Sequence, residues 1–522
     1  MTPLAHIVAA LRNPAQYPHP ADAVEVHETH ISAVILAGEF AYKLKKPLDL
    51  GFLDFSTLGK RRAACEDEVR LNARTAPSIY LGVVPIGGTP DAPVIGATPA
   101  IEYAVRMRRF PQSALLDRMA ARGELDAALF ERLARDLAAF HAAAEPVGDR
   151  PYGRPEDALE PALQNFVQLA PLVEAQSDRD ALDALRDWTR AEHGRAMAAM
   201  AARRAAGRVR ECHGDLHLGN LVLLEGRATP FDCIEFNPAL RWTDVMSEVA
   251  FLVMDLVDHA QDALAHRFLD AYLAATGDYE GLAVLPFHLV YRAMVRAKVT
   301  CIRAHQPGLD LHGRTRADAQ YHAYLRLART LAAPRHAAIV LMHGFSGSGK
   351  SHAAARLVER AGAVRVRSDV ERKRLHGLAW DAASGAALDG GLYSPEATMR
   401  TYERLAALAA TIADAGWPAV VDAAFLRRDE REAFARLATA RGIPFAIVSC
   451  AANEATLRAR IEARHAAGDD PSEATLAVLE RQLATHEPLA DDERRHVVTV
   501  DTAAGDAAFD AGIGAALRRL RR

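Results

Sequence analysis

Two short stretches of the chain hold the residue types that phosphoryl chemistry needs. The first is Gly344-Phe345-Ser346-Gly347-Ser348-Gly349-Lys350-Ser351. Its spacing, GxxxxGK[ST], lets a glycine-rich backbone curl so that successive N–H groups face phosphate oxygens. Gly344, Gly347, Ser348 and Gly349 would form that cradle. Lys350 would reach the β- and γ-phosphates of a nucleotide, and Ser351 would ligate magnesium. The apolar run Ala338 to Met342 precedes it and the helix-forming run His352 to Glu359 follows it. That is the strand–loop–helix setting in which a helix N-terminus adds favourable partial charge to a phosphate site.

The second stretch is His213-Gly214-Asp215-Leu216-His217-Leu218-Gly219-Asn220, with Asp232 twelve residues beyond Asn220. Phosphoryl transfer needs a carboxylate near the acceptor hydroxyl and oxygen ligands for magnesium. Asp215 fits the first role, as base or orienting group. Asn220 and Asp232 fit the second. His213 reads as a buttress of the loop, and Asp244 as a structural acceptor for the loop's backbone.

Further groups belong with the glycine-rich motif. Ligands of parallel sheets sit at the carboxyl ends of strands. Val364-Arg365-Val366-Arg367-Ser368 runs into Asp369, with Arg372 three residues on. Asp369 could orient or deprotonate an acceptor hydroxyl, and Arg372 could hold an anionic group on it. Asp369 as no more than a cap on the helical run Val370 to Leu375 is the lesser alternative. Ala419-Val420-Val421 ends in Asp422, which suits a magnesium-water ligand. Arg458, Arg460 and Arg464 precede Gly468-Asp469-Asp470-Pro471, a pattern for a lid whose arginines neutralise a transferring phosphoryl group. Arginines on an exposed helix face are also common.

The elements that must position these groups fall into two unlike halves. Short β-like runs occur at Ala33 to Leu36, Ala41 to Leu44 and Tyr80 to Ile86, with Gly38-Glu39 as a hairpin turn between the first two. From about Ser113 to Arg204 the chain reads as helices. Cys212 to Asn237 is loop-rich, and helices resume to about Leu331. Beyond a linker at 332–337, apolar strands alternate with helical runs: Ala338 to Met342, Val364 to Arg367, Ala419 to Val421, Phe445 to Val448 and His496 to Val500. Such alternation implies right-handed βαβ units and a parallel sheet. The expected organisation is a domain over 1–331 and a second domain over 338–522.

Composition excludes several classes. The 522 residues carry a formal net charge of -4, half are apolar and a quarter are charged. No overall basic field points to nucleic acid, although Arg365, Arg367, Arg372, Lys373 and Arg374 cluster locally. The five cysteines form no CxxC pair, so reduced thiols in a cytoplasmic protein are expected. The N-terminus does not read as a signal peptide. No apolar run of about 18 residues appears, so no membrane span is expected.

These motifs carry two resemblances. HGDxxxxN with its following aspartate is similar to the aminoglycoside phosphotransferase and choline kinase family, over about residues 25 to 310. That implies an α+β, two-lobed, protein-kinase-like fold. It implies that Lys43 is the phosphate-binding lysine of the third strand, paired with Glu68 or Glu66 on the next helix, and that Ile101 to Phe110 holds the hinge beside adenine. The region near Thr29-His30-Ile31-Ser32 lacks the GxGxxG of protein kinases. Residues 337 to 522 resemble the P-loop kinases that include gluconate kinase, zeta-toxin kinases and polynucleotide 5′-hydroxyl kinases, an α/β fold with a parallel sheet. The Asp369/Arg372 pair resembles a polynucleotide kinase's acceptor clamp, and Arg481 to Pro488 resembles a late segment of gluconate kinases. Together they imply two ATP- and Mg2+-dependent sites acting on hydroxyls of small polar acceptors. One half as a non-transferring ATP sensor, or the second half as a polynucleotide kinase, are the alternatives.

Overall fold

The computed structural model describes residues 3–51, 53–306, 309–379, 392, 394–467 and 475–520. The chain forms two compact units: residues 1–167 with 200–259, and residues 168–199 with 260–522. The segment at 332–337 lies inside the second unit.

The first unit begins with a six-stranded antiparallel sheet in the order β1-β2-β3-β6-β4-β5. The strands are β1 (Val24–Glu28), β2 (Ser32–Ala37), β3 (Phe40–Lys45), β4 (Tyr80–Thr89), β5 (Ala92–Ile95) and β6 (Glu102–Arg108). Gly38, at φ +55°, and Glu39 turn β2 into β3, and Ala37 pairs with Phe40. Apolar residues on one face, including Ile35, Tyr42, Leu44 and Ile86, pack on Leu4, Ile7 and Leu11 of the N-terminal segment. The other face packs on the helix Leu58–Asn72 through Cys65. Because side chains alternate along a strand, this sets which strand residues face that helix. Further on, β7 (Val209–Glu211) pairs with β10 (Trp242–Asp244), and β8 (Leu221–Leu224) pairs with β9 (Arg227–Pro230). These two ribbons flank the loop 212–220.

In the second unit a five-stranded parallel sheet runs β12-β13-β11-β14-β15. Its strands are β11 (Ala338–His343), β12 (Val364–Arg367), β13 (Pro418–Asp422), β14 (Phe445–Ala451) and β15 (Val497–Asp501). All five sequence-expected strands are present, within a residue or a few at each end. Ala338 to Met342 are all buried, as expected of a central strand covered on both faces. The core joins Val340, Met342, Val420, Val448 and Val500 to Leu357 and Ile513 of flanking helices. Helix Asp262–Thr276 joins the same unit: Asp270 takes the guanidinium of Arg365 at 2.8 Å, and Arg267 reaches Glu359 at 2.9 Å. Two members of the basic cluster expected from sequence are thus held internally. Arg365 sits on Asp270, and Arg374 bonds Glu371 and the carbonyl of Ala274.

All five cysteines are buried and unbridged. Among the described residues no helix is long and apolar enough to cross a membrane.

One buried ion pair fastens the helix after β13. Arg431 is 1 % exposed and bonds Glu493 at 2.6 and 2.9 Å. It also donates to the carbonyls of Phe425, Glu487 and Pro488. Removing one partner of such a pair leaves an uncompensated buried charge. Arg431→Met should therefore lower local stability by about 3–5 kcal/mol, read by native-state hydrogen exchange of the amides of Arg428–Arg441.

Candidate active sites

The first unit gathers its charged groups around Lys43. Lys43 and Lys45 are two apart on β3, so both fall on the face toward helix Leu58–Asn72. Lys43 Nζ donates to Glu68 Oε1 at 2.8 Å and to Asp232 Oδ1 at 2.5 Å. Glu66 points elsewhere and pairs with Arg62. Of the two candidates, then, Glu68 is the one in contact with Lys43. A helix separates residues i and i+2 onto different faces, and only one of the two can look inward. Burial works against charge on Lys43, but Asp232, Glu68 and Glu235 outweigh it and hold its ammonium well above the ordinary range. Burial likewise opposes charge on Asp232, and Lys43 beside it keeps that carboxyl below its usual range.

Asn220 donates its amide to the backbone oxygen and to Oδ2 of Asp215, both at 3.0 Å. That leaves the amide oxygen as its acceptor. With the Asp232 carboxylate it forms a set of hard oxygen donors, the chemistry that Mg2+ requires. Asp232 itself sits at φ +63°, and its amide donates to the Tyr80 hydroxyl at 3.0 Å. Thr29 and Ser32 close the β1–β2 connection as a tight turn, with Ser32 N donating to Thr29 Oγ1 at 3.0 Å. Arg108 to Gln112, at the expected hinge, line a depression of about 410 Å³ with Gly38 and Glu39.

The 213–220 loop is held from beneath by two acids that sequence reasoning missed. Glu248 accepts the amides of His213 at 2.8 Å and Gly214 at 3.1 Å, and its other oxygen lies 2.6 Å from His141 Nε2. Asp255 accepts the amide of Leu218 at 2.8 Å. Glu248 and Asp255 thus supply acceptors for the loop amides of His213, Gly214 and Leu218. Asp244 takes Arg203 in two bonds of 2.8 Å and caps its own helix at Met246. The reason is helical geometry: Glu248 and Asp255 lie inside the helix Val245–Asp258, on turns that pass under the loop, whereas Asp244 only starts it. His213 does brace the loop, with Nε2 2.8 Å from the Phe231 carbonyl. Burial holds its imidazole below the usual range, and so neutral.

In the second unit the phosphate loop joins β11 to the helix Lys350–Ala361. A Cβ on Gly344, at φ +141°, would meet the Cys450 carbonyl and Ser348 Oγ at 2.7 Å; one on Gly347, at φ +79°, would meet the Leu457 carbonyl at 2.6 Å. Glycine is required at both for conformation and for space. Lys350 Nζ donates to the carbonyls of Gly344 and Phe345 at 2.8 Å. Burial pulls this ammonium below its ordinary range, and Asp422 counters.

A cavity of about 630 Å³ opens over this loop at the carboxyl ends of the strands. Gly347, Gly349, Lys350 and Ser351 line it, and Ser348 Oγ is buried. Asp369, Arg372, Thr398, Tyr402, Asp422 and Glu430 line it as well. Asp422 pairs in register with both Met342 and Arg367. Its Oδ2 is buried, accepts no hydrogen bond among the described residues, and lies 4.0 Å from Arg367 Nε. A buried carboxylate oxygen left in this condition fits a cation or its bound water. Asp369 lies in the first turn of the helix Ser368–Leu375, two residues past the cap position, which Arg367 occupies. Arg372 is buried and bonds Thr398 Oγ1 at 3.2 Å and the Leu392 carbonyl at 3.0 Å.

The three arginines of the expected lid separate. Arg460 and Arg464, four apart on one helix face, line the cavity. Arg460 also braces the phosphate loop, donating to Gly347 O at 3.3 Å and Thr502 Oγ1 at 2.9 Å. Arg458 is not among the lining residues. It lies on the opposite side of the helix and pairs with Glu454 and Glu480 in solvent. Gly468-Asp469-Asp470-Pro471 lies outside the described residues. Arg481 and Gln482 reach the cavity from the helix Leu476–Thr485, and Gln482 Oε1 accepts the amide of Ser346 at 2.8 Å.

Residues 53–285 match the family described as the phosphotransferase enzyme family, and residues 339–489 match a family described as an AAA domain. The chain is therefore similar to phosphotransferases over the first of these regions and to an AAA-domain family over the second. A Mycobacterium tuberculosis protein described as uncharacterized is 29% identical over 472 residues, covering 88% of this chain and 90% of its own length. Among solved structures, an amicoumacin kinase in complex with AMP-PNP, Ca2+ and Ami is 14% identical, covers 63% of this chain and 93% of its own, and gives a TM-score of 0.39. A gluconokinase from Sinorhizobium meliloti is 23% identical, covers 36% and 94%, and gives a TM-score of 0.26.

Glu430 lines the cavity but belongs to no motif. Burial pushes its carboxyl up to about 7, against bonds from the Arg427 amide and the Tyr402 hydroxyl. Between about 4.5 and 7 the folded chain holds a proton that the unfolded chain releases, so this group lowers stability as pH rises through that window. Glu430→Gln, which cannot ionise, should gain on the wild type by on the order of 1–3 kcal/mol across the same window. Urea denaturation of both proteins at several pH values measures the difference.

Proposed function

We propose that the protein is an ATP-dependent phosphotransferase with two nucleotide sites, each passing the γ-phosphoryl group of MgATP to a hydroxyl of a small polar acceptor. The observation that carries this reading is that one cavity of about 630 Å³ is lined both by the phosphate-loop residues Gly347, Gly349, Lys350 and Ser351 and by Asp369, Arg372 and Asp422. Its volume falls in the range of small-ligand sites.

In the second unit the amides of 347–351 and Lys350 bind the phosphates. Ser351 and Asp422 would hold Mg2+, which when bound would supply charge neutralisation for the β- and γ-phosphates. Asp369 orients the acceptor hydroxyl and takes its proton. Arg372 holds an anionic group of the acceptor, while Arg460 and Arg464 balance charge on the phosphoryl group. Arg367, Arg427 and Arg481 also line the cavity, which favours an acceptor with negative charge of its own.

In the first unit Lys43, set by Glu68, binds the nucleotide phosphates. Asn220 and Asp232 hold Mg2+. Asp215, tethered by Asn220, takes the proton of the second acceptor. Its loop reaches that position through Glu248 and Asp255.

The arginine-lined wall also favours a second reading for the C-terminal half, a polynucleotide 5′-hydroxyl kinase. One experiment separates the two. γ-Labelled ATP is incubated with a bacterial extract split into small metabolites and RNA, using wild type, Lys350→Ala and Asp215→Ala. Each variant should lose a different set of labelled products, with rates reduced about 10²- to 10⁴-fold. Label in the RNA fraction that vanishes with Lys350→Ala would select the polynucleotide reading. Label that persists unchanged in both variants would refute the proposal.

A further inference from the structure

A second lysine of β3, Lys45, has the charge of a phosphate ligand but no route to one. Its side chain is 0% exposed. It donates to Glu68 Oε2 and to Glu235 Oε1, and its ammonium lies 5.5 Å from the centre of the Phe55 ring. Lys43 takes the other oxygen of the same glutamate, Glu68 Oε1, and Asp232 Oδ1. The result is one chain of ion pairs: Asp232, Lys43, Glu68, Lys45, Glu235. Both ends lie on the segment after β9, three residues apart.

The two lysines have different freedom. Lys43 is 12% exposed at its side chain, and its partner Asp232 is 43% exposed, so this end opens to a ligand. The Lys45 end is closed. With both oxygens of Glu68 engaged, its carboxylate cannot turn, and Lys43 is presented in one orientation. The same end pins the following segment through Glu235, whose carbonyl also accepts from Arg241 at 3.1 Å. Asn72 adds a neutral tie, donating to Glu68 O and accepting from Cys233 N, both at 2.9 Å. A binding group held this way loses less entropy when its ligand arrives.

We propose that Lys45 is a positioning residue for the first nucleotide site, acting through Glu68 and Glu235 to hold Lys43 ready for the phosphates of ATP. This rests on the reading of Lys43 as a nucleotide ligand. It predicts energetic coupling between two lysines of which only one can touch the ligand.

The test is a double-mutant cycle on the full-length chain, in a Lys350→Ala background that silences the second site. The probe is N-methylanthraniloyl-ATP in EDTA, and the readout is its Kd by fluorescence. Lys43→Met and Lys45→Met should each weaken binding about tenfold, and the double variant should lie within about twofold of Lys43→Met alone. Glu235→Gln keeps the shape and removes one of Lys45's anions. It should weaken binding severalfold, again only when Lys43 is present, and it serves if Lys45→Met does not fold. Wild-type affinity in Lys45→Met or Glu235→Gln, or losses that multiply to about a hundredfold in the double variant, would overturn the inference. Wild-type affinity in Lys43→Met would instead remove the nucleotide reading on which it rests.

Discussion

Glu68 has no exposed side-chain surface, yet its carboxylate lies between two buried lysines. A charge in that position costs several kcal/mol unless it is paired on every side. The first unit is arranged around meeting that requirement. Strand β3 brings two cations, helix Leu58–Asn72 brings the anion, and the segment after β9 brings Asp232 and Glu235. None of these elements satisfies its own charge alone. Folding the unit and assembling the site are therefore the same event, and the lysine that reaches outward inherits its aim from the one that does not.

The second unit meets the same requirement differently. Its parallel sheet ends all its strands at one edge, so Asp422, Asp369 and the phosphate loop arrive there by topology. Two structural charges are paired outside the cavity lining: Arg431 with Glu493 and Arg365 with Asp270. In the lining itself, Asp422 keeps a buried Oδ2 with no hydrogen bond among the described residues. Lys350 rests on the carbonyls of its own loop, close to where phosphates would lie. Glu430, pushed toward neutrality by burial, is a member of this wall that no motif marks.

How much of this was legible in the sequence follows from where each signal resides. The phosphate loop, Asp215, Asn220 and Lys43 sit in fixed local spacings, and the structure brings each set together. The parallel strands were legible because apolar runs bounded by helices have few other uses. Glu68 and Glu66 could not be separated, because helix register depends on packing against β3. Glu248 and Asp255 were missed because they reach the loop from 34 to 37 residues away in sequence, from a helix that reads as ordinary core. Lys45 carried a signal in retrospect, since K-x-K in a strand puts both residues on one face. Arg458 was grouped with Arg460 and Arg464 by proximity alone, and helical geometry divides them.

The central claim is that one chain holds two independent nucleotide sites. Equilibrium dialysis of the full-length protein against a non-hydrolysable ATP analogue with Mg2+ tests it most directly. The account predicts two molecules bound per chain at saturation. A stoichiometry of one per chain would contradict it and leave one of the two charge clusters as structure alone.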